Sequence, residues 1–149
     1  MLFRSAHDVD EARRLLEADT SEELAREFAW SAADHGCPAI VELALKRLNW
    51  SSDDPRWHWI LIQPIRGVDN DNAEPFLACM AMLLDRGVDA NVTRMGQTVL
   101  HFAAARGGVS GPVRTRFASL LIDRGARLDV RGYIGVPLLG RTQTWIRVE

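Results

Sequence analysis

Cysteine is scarce in this 149-residue chain and badly placed for chemistry: Cys37 and Cys79 lie 42 positions apart, with no Cys-x-x-Cys pair. That spacing argues against a zinc knot or a redox motif and leaves two buried free thiols as the plain reading. Lysine is scarcer still. Lys46 stands alone against 17 arginines, a bias that GC-rich coding of the bacterial kind explains more simply than function does. Long apolar runs are missing too. The longest, Phe76 to Leu84, has nine residues, far short of the roughly 20 that a membrane-spanning helix needs. Residues 1–8 turn polar after three positions, which is not the apolar segment of a secretory signal. The expectation is a cytoplasmic protein with no place in a membrane.

Signatures of chemistry are equally absent. The histidines, His7, His35, His58 and His101, are scattered and never paired at helical spacing around a carboxylate. There is no Gly-x-Ser-x-Gly elbow, no phosphate loop and no dinucleotide fingerprint. The stretch from Asp69 to Glu74 offers oxygen ligands, but it lacks the ligand at Ala73 and the adjacent glycine that a calcium loop needs. No cofactor and no metal are expected. The arginine-rich second half invites a nucleic-acid reading, yet the isoelectric point of about 6.1 is far below that of such domains.

What the chain does have is the composition of one globular domain, 47% hydrophobic and 26% charged, long enough to bury a core without staples. Its net charge of −2 hides a split: residues 1–90 carry 17 acidic and 9 basic side chains, residues 91–149 carry 3 and 9. In an elongated molecule such a split makes two ends of opposite sign, able to steer a partner.

The chain also repeats itself. Leu83-Leu84-Asp85-Arg86-Gly87-Val88-Asp89-Ala90-Asn91-Val92 returns as Leu121-Ile122-Asp123-Arg124-Gly125-Ala126-Arg127-Leu128-Asp129-Val130, 38 residues later. In each copy an apolar pair ends a helix and a glycine takes the left-handed turn that follows. Between them runs Gly96-Gln97-Thr98-Val99-Leu100-His101-Phe102-Ala103-Ala104-Ala105-Arg106-Gly107. Thr98 is suited to cap a helix, Ala103 and Ala104 to let helices approach, and His101 to bond the adjoining turn. This string resembles the ankyrin repeat's Gly-x-Thr-Pro-Leu-His-x-Ala-Ala-x-x-Gly, with Val99 in place of proline. A weaker copy appears at Ala32-Ala33-Asp34-His35-Gly36, and a degenerate one runs from Trp57 to Leu84.

The resemblance implies an all-α, ankyrin-repeat-like solenoid of about three and a half to four helix-turn-helix units with atypical terminal units. The expected division is a capping helix over 1–20, repeats over 21–50, 51–92 and 93–130, and an incomplete unit over 131–149. Thr20 with Glu23 reads as a capping box, and Gly135-Val136-Pro137-Leu138-Leu139 as the start of the last unit, after which Gly140 to Arg147 lacks the His and the Ala pair and leaves a helical cap, an extended strand and a disordered end all open. Two extended connections, 65–74 and 107–114, should fall on one side of the stack.

Similarity to ankyrin repeats further implies recognition of another protein, without turnover, by a chain that is monomeric when free. The positions carried over are Arg94, Met95 and Gln97 around Gly96, Ala105 and Arg106 before Gly107, and Asp34 and His35 before Gly36. Asp53, Asp54, Arg56 and Trp57 align roughly with a finger. Trp50, Trp57 and Trp59 crowd one segment, and one of them is expected at the surface as a binding anchor. An inhibitor, an immunity-type protein and an adaptor all fit this description. The rival from another class is a small enzyme on a helical-repeat scaffold, using carboxylates of the first half.

Overall fold

The computed structural model of the chain describes residues 6–134 and 136–145, with side chains over 8–127. The chain is mostly helical. Its helices are α1 (Ala6–Ala18), α2 (Glu22–Asp34), α3 (Pro38–Leu45), α4 (Arg56–Leu61), α5 (Gln63–Gly67), α6 (Glu74–Asp85), α7 (Val99–Ala105) and α8 (Gly111–Asp123). Two antiparallel ribbons join them: β1 (Thr93–Arg94) with β2 (Gln97–Thr98), and β3 (Leu128–Ile134) with β4 (Val136–Trp145). No helix among the described residues is long and apolar enough to cross a membrane.

The helices lie in two layers. In one, α1 packs on α3, α3 on α6 and α6 on α8; in the other, α2 packs on α4 and α5. The pairs α2–α3, α5–α6 and α7–α8 join the layers. Small residues set the spacing. Ala25, Ala29, Ala32 and Ala33 of α2 are fully buried, so α3 and α5 can press close. Leu83 and Leu121, the matched leucines of the two clearest copies, are both completely buried, worth roughly 1.5–3 kcal/mol each by removal from water.

Polar contacts recur between segments about 34 to 41 residues apart in the chain. Asn91 Nδ2 donates to the Gly125 carbonyl at 2.9 Å and Asn91 Oδ1 accepts from the Arg127 N–H at 2.8 Å. Asn70 does the same between the connections, donating to Gly108 O at 3.0 Å and accepting from Ser110 N at 2.9 Å. Arg86 donates to the carbonyls of Leu45 and Leu48. Arg124 pairs with Asp85 at 2.8 Å, and Arg116 pairs with Glu74. These last two pairs join acids of the first half to arginines of the second, so the charge split is partly neutralised between α6 and α8.

Local signals behave as their chemistry requires, with some displacements. Helix α7 opens at Thr98, whose N–H donates to His101 Nδ1 at 3.2 Å and whose Oγ1 lies 2.8 Å from the same atom. His101 is therefore a structural bond-maker. Gly87 (φ +106°) and Gly125 (φ +94°) both turn left-handed after their helices. Helix α2 is capped by Ser21, which accepts from Leu24 N at 3.3 Å, one position later than a Thr20–Glu23 box would place it. The extended connections are shorter than expected, since α5 reaches Gly67 and α8 starts at Gly111, but Asn70 brings them together on one side.

One expectation fails. Ala103 is buried but Ala104 is exposed, on a side of α7 that no other described helix covers. Over 131–149, where the sequence left a helical cap, an extended strand and a disordered end open, the described part is β-ribbon: Val136-Pro137-Leu138-Leu139 opens β4. The segment is rich in Val, Tyr, Ile, Thr and Trp, broken by Gly132, Pro137 and Gly140, a composition that favours strands and penalises helix. Residues 1–5, 135 and 146–149 lie outside the described residues.

Candidate functional site

One large groove, about 930 Å³, opens between α2, the Trp50–Arg56 segment, α4 and the β1 edge of the finger. Helix α2 presents Leu24, Glu27, Phe28 and Ser31 to it, at the i, i+3, i+4, i+7 spacing of one helical face. Phe28 and Ile60 are buried beneath it. Trp30, Trp50 and Trp59 line it, with Arg26, Arg56 and Arg94 among them.

Each arginine has different company. Arg56 lies over the Trp50 ring, 4.1 Å from its centroid, and pairs with Asp54 at 2.8 Å and Glu22 at 3.0 Å. The hydrogen bond from its guanidinium, and then that from its backbone N–H, hold Asp54 below its ordinary pKa. Glu22 also accepts the Trp50 indole N–H at 2.8 Å. Arg94 stacks over Trp59 at 4.4 Å, and Arg66 reaches the same ring at 5.6 Å. Among the described residues neither Arg94, Arg66 nor Arg26 has an ion pair.

The finger is strained at its tip. β1 and β2 are joined by Met95 and Gly96, both left-handed at φ 53° and 76°, the backbone of a tight two-residue hairpin. A left-handed methionine costs about 1–2 kcal/mol, and its side chain is 95% exposed. Trp59, at 41%, is the other large hydrophobic exposed among the described residues. Both flank Arg94, one beneath its guanidinium and one next to it in sequence.

Beneath the finger lies His58. It is buried, and neither ring nitrogen makes a hydrogen bond of good geometry. Burial, then the charge of Arg94, push its pKa below the ordinary value against a raising influence from the Gln97 backbone. Trp30 carries a second unmet group, a buried indole N–H with no acceptor among the described residues.

The residues singled out from sequence scatter. Arg94 and Arg56 line the groove; Met95 and Gln97 stand exposed on the finger above it. Asp54 holds Arg56, and Asp53 is exposed beside it. Trp57 is corrected outright: at 1% exposure it is core, its indole donating to the Ser51 carbonyl at 2.9 Å and its ring meeting Trp50 edge-on. His35 bonds the Ser31 carbonyl through Nδ1 at 2.8 Å, and Asp34 lies 4.0 Å from it. Arg106 and Ala105 are exposed at the end of α7 outside the groove, with Arg106 donating to the Arg66 carbonyl at 3.5 Å. The sequence reading missed Trp30, Arg26 and Arg66. The face of α2 was legible in its spacing, but only packing showed that α4 leaves it uncovered.

The groove holds a single carboxylate, Glu27, among its lining residues, and no cluster of metal-ligating side chains occurs among the described residues. No protein-family model, no curated protein and no solved structure matches this chain.

Proposed function

We propose that this chain is a protein-interaction module of the ankyrin-repeat type, binding a partner protein in the groove beside its finger and turning nothing over. The stack reading is supported by polar contacts about one unit apart, by paired helices that bury their apolar faces only against neighbours, and by the Thr98–His101 cap. The terminal ribbon is its departure from the repeat pattern.

The observation that carries the binding reading is the exposure of Trp59 and Met95 on either side of Arg94. Two large hydrophobics exposed next to one arginine, one of them on a strained turn, combine the residue types that interfaces use as anchors. A catalytic reading finds less support, since Glu27 has no second carboxylate beside it in the groove to share acid and base roles.

The test compares the full chain with Trp59→Ala and Met95→Ser as immobilised baits in an extract of the source organism. The bound partner is then purified and its affinity measured. A binding anchor should cost tenfold or more on removal, since hot-spot truncations exceed about 1.4 kcal/mol. A partner that binds all three forms equally would refute the groove.

A further inference from the structure

The groove and its surroundings also specify the chemistry of the partner, and we infer that it is an acidic segment of a protein carrying one bulky apolar side chain. This rests on the interaction reading above and adds the identity of the ligand.

Charge is the first argument. Arg94 and Arg66 both lie on the Trp59 ring, at 4.4 and 5.6 Å, and Arg106 donates to the Arg66 carbonyl. Three guanidiniums from the finger, α5 and α7 therefore converge on one side of the stack, and none has an ion pair among the described residues. Glu27 is the one acid lining the groove, and Asp34 lies beside His35 and against Gly67 without an ion pair to any arginine among the described residues. In a chain of net charge −2, with acids elsewhere paired to Arg56, Arg116 and Arg124, this clustering of unpaired arginine is a local excess. Carboxylates on a partner would pair with it, and guanidiniums held over an aromatic ring lose little freedom in doing so.

Apolar surface is the second. Trp59 and Met95 stand exposed at the edge of a groove floored by Phe28 and Ile60. One aromatic or branched aliphatic side chain entering there would bury these surfaces, and a methionine adapts its shape to such an anchor. The Trp30 N–H, without an acceptor in the free chain, would gain one if its ring turned toward a partner carbonyl. Nucleic acid fits less well: of the three tryptophans lining the groove only Trp59 is exposed, Trp30 being half-buried and Trp50 covered by Arg56, so no series of open rings is left on which successive bases stack.

The experiment selects binders to the full chain from a displayed random-peptide library, then measures one selected peptide by fluorescence anisotropy. Peptides with Asp or Glu beside a Phe, Leu or Trp should be enriched. Their affinity should fall at least tenfold on Arg66→Glu/Arg94→Glu, and again when salt is raised from low to physiological. Replacing the peptide's anchor by Ser should cost at least tenfold, as should Trp59→Ala, while circular dichroism shows all variants folded. Enrichment of basic or uncharged peptides, no enrichment, or equal binding by the double variant would overturn the inference. So would tighter binding of polyglutamate or of a single-stranded oligonucleotide than of the anchored peptide. A captured partner that depends on Trp59 but not on the arginines would refute the acidic ligand and leave the interaction reading standing; dependence on neither refutes both.

Discussion

Replacing Gly67 with alanine should separate the end of α5 from the end of α2. A Cβ there would lie 1.7 Å from the Asp34 carbonyl oxygen and 2.7 Å from its carbon, where ordinary contact begins at 3.4 Å. The two backbones must therefore move apart by roughly 1.7 Å, and a carbonyl inside a turn cannot swing aside as a side chain can. Overpacking of this kind costs typically about 1–3 kcal/mol, and the upper end applies because the obstacle is backbone. Alanine's better helix propensity returns at most about 1 kcal/mol, so the net loss is about 2 kcal/mol. For a chain of this length that lowers the melting temperature by roughly 4–8 °C. Two neighbouring glycines give the controls. Gly107 has open space around a hypothetical Cβ and an ordinary backbone, so Gly107→Ala should be neutral or slightly stabilising. Gly108 is equally open but sits at φ +83°, so Gly108→Ala should lose about 1 kcal/mol, and Gly108→Asn less, since asparagine tolerates the left-handed region. Gly67→Asn should instead be worse than Gly67→Ala. Thermal unfolding followed by circular dichroism reads all five variants. If Gly67→Ala melts with the native chain, or if asparagine rescues position 67, the close approach of α5 to α2 is not as described.

Further outcomes follow from burial. Ala103→Leu should overpack the α7 interface by about 1–3 kcal/mol, whereas Ala104→Leu, at an exposed site, should change stability by less than about 0.5 kcal/mol; equal effects in denaturant melts would misplace the buried face of α7. The pKa of His58 is lowered in the folded chain, so between that value and the unfolded value of about 6.5 the unfolded chain binds the extra proton. Its contribution is full above about pH 6.5 and is lost as the pH falls through the lowered value. Melting temperature should drop with acidification over that range, and His58→Leu should flatten the drop; an unchanged slope would clear His58 of the effect. Burial, with a smaller push from Cys37, raises the Cys79 thiol to about 12, while Cys37 is raised and only half-buried. Thiol-specific alkylation of the native chain at mildly alkaline pH, followed by mass spectrometry, should label Cys37 well before Cys79; the reverse order would contradict the burial of α6.

Where the sequence was readable, it was readable because one short stretch held both the signal and its consequence. Thr98 and His101 are three residues apart and bond each other; Gly87 and Gly125 need their left-handed backbone whatever lies beyond them. The 38-residue echo of Leu-Asp-Arg-Gly set the matched leucines at equivalent buried places. Periodicity failed where a position's meaning depends on a neighbour. Ala104 matches Ala33 in the pattern, yet Ala33 is covered by the helices after it and Ala104 is not. Trp57 and Trp59 are two residues apart on one short helix, so they face different ways, and composition alone did not say which was anchor and which was core.

By itself, then, the sequence determined the mostly helical character of the chain, the Thr98–His101 cap and the left-handed glycines that end its helices. Only the tertiary structure decided which aromatic side chains reach water and which arginines lack a carboxylate. It also brought Arg66 and Arg94 to the Trp59 ring and Arg106 to the Arg66 carbonyl, from three separate parts of the chain. Helix signals are local, because backbone hydrogen bonds and caps join residues a few positions apart. Exposure and ion pairing are settled between segments some 38 residues apart in the chain, where each surface is defined by what its neighbours cover and what they leave open.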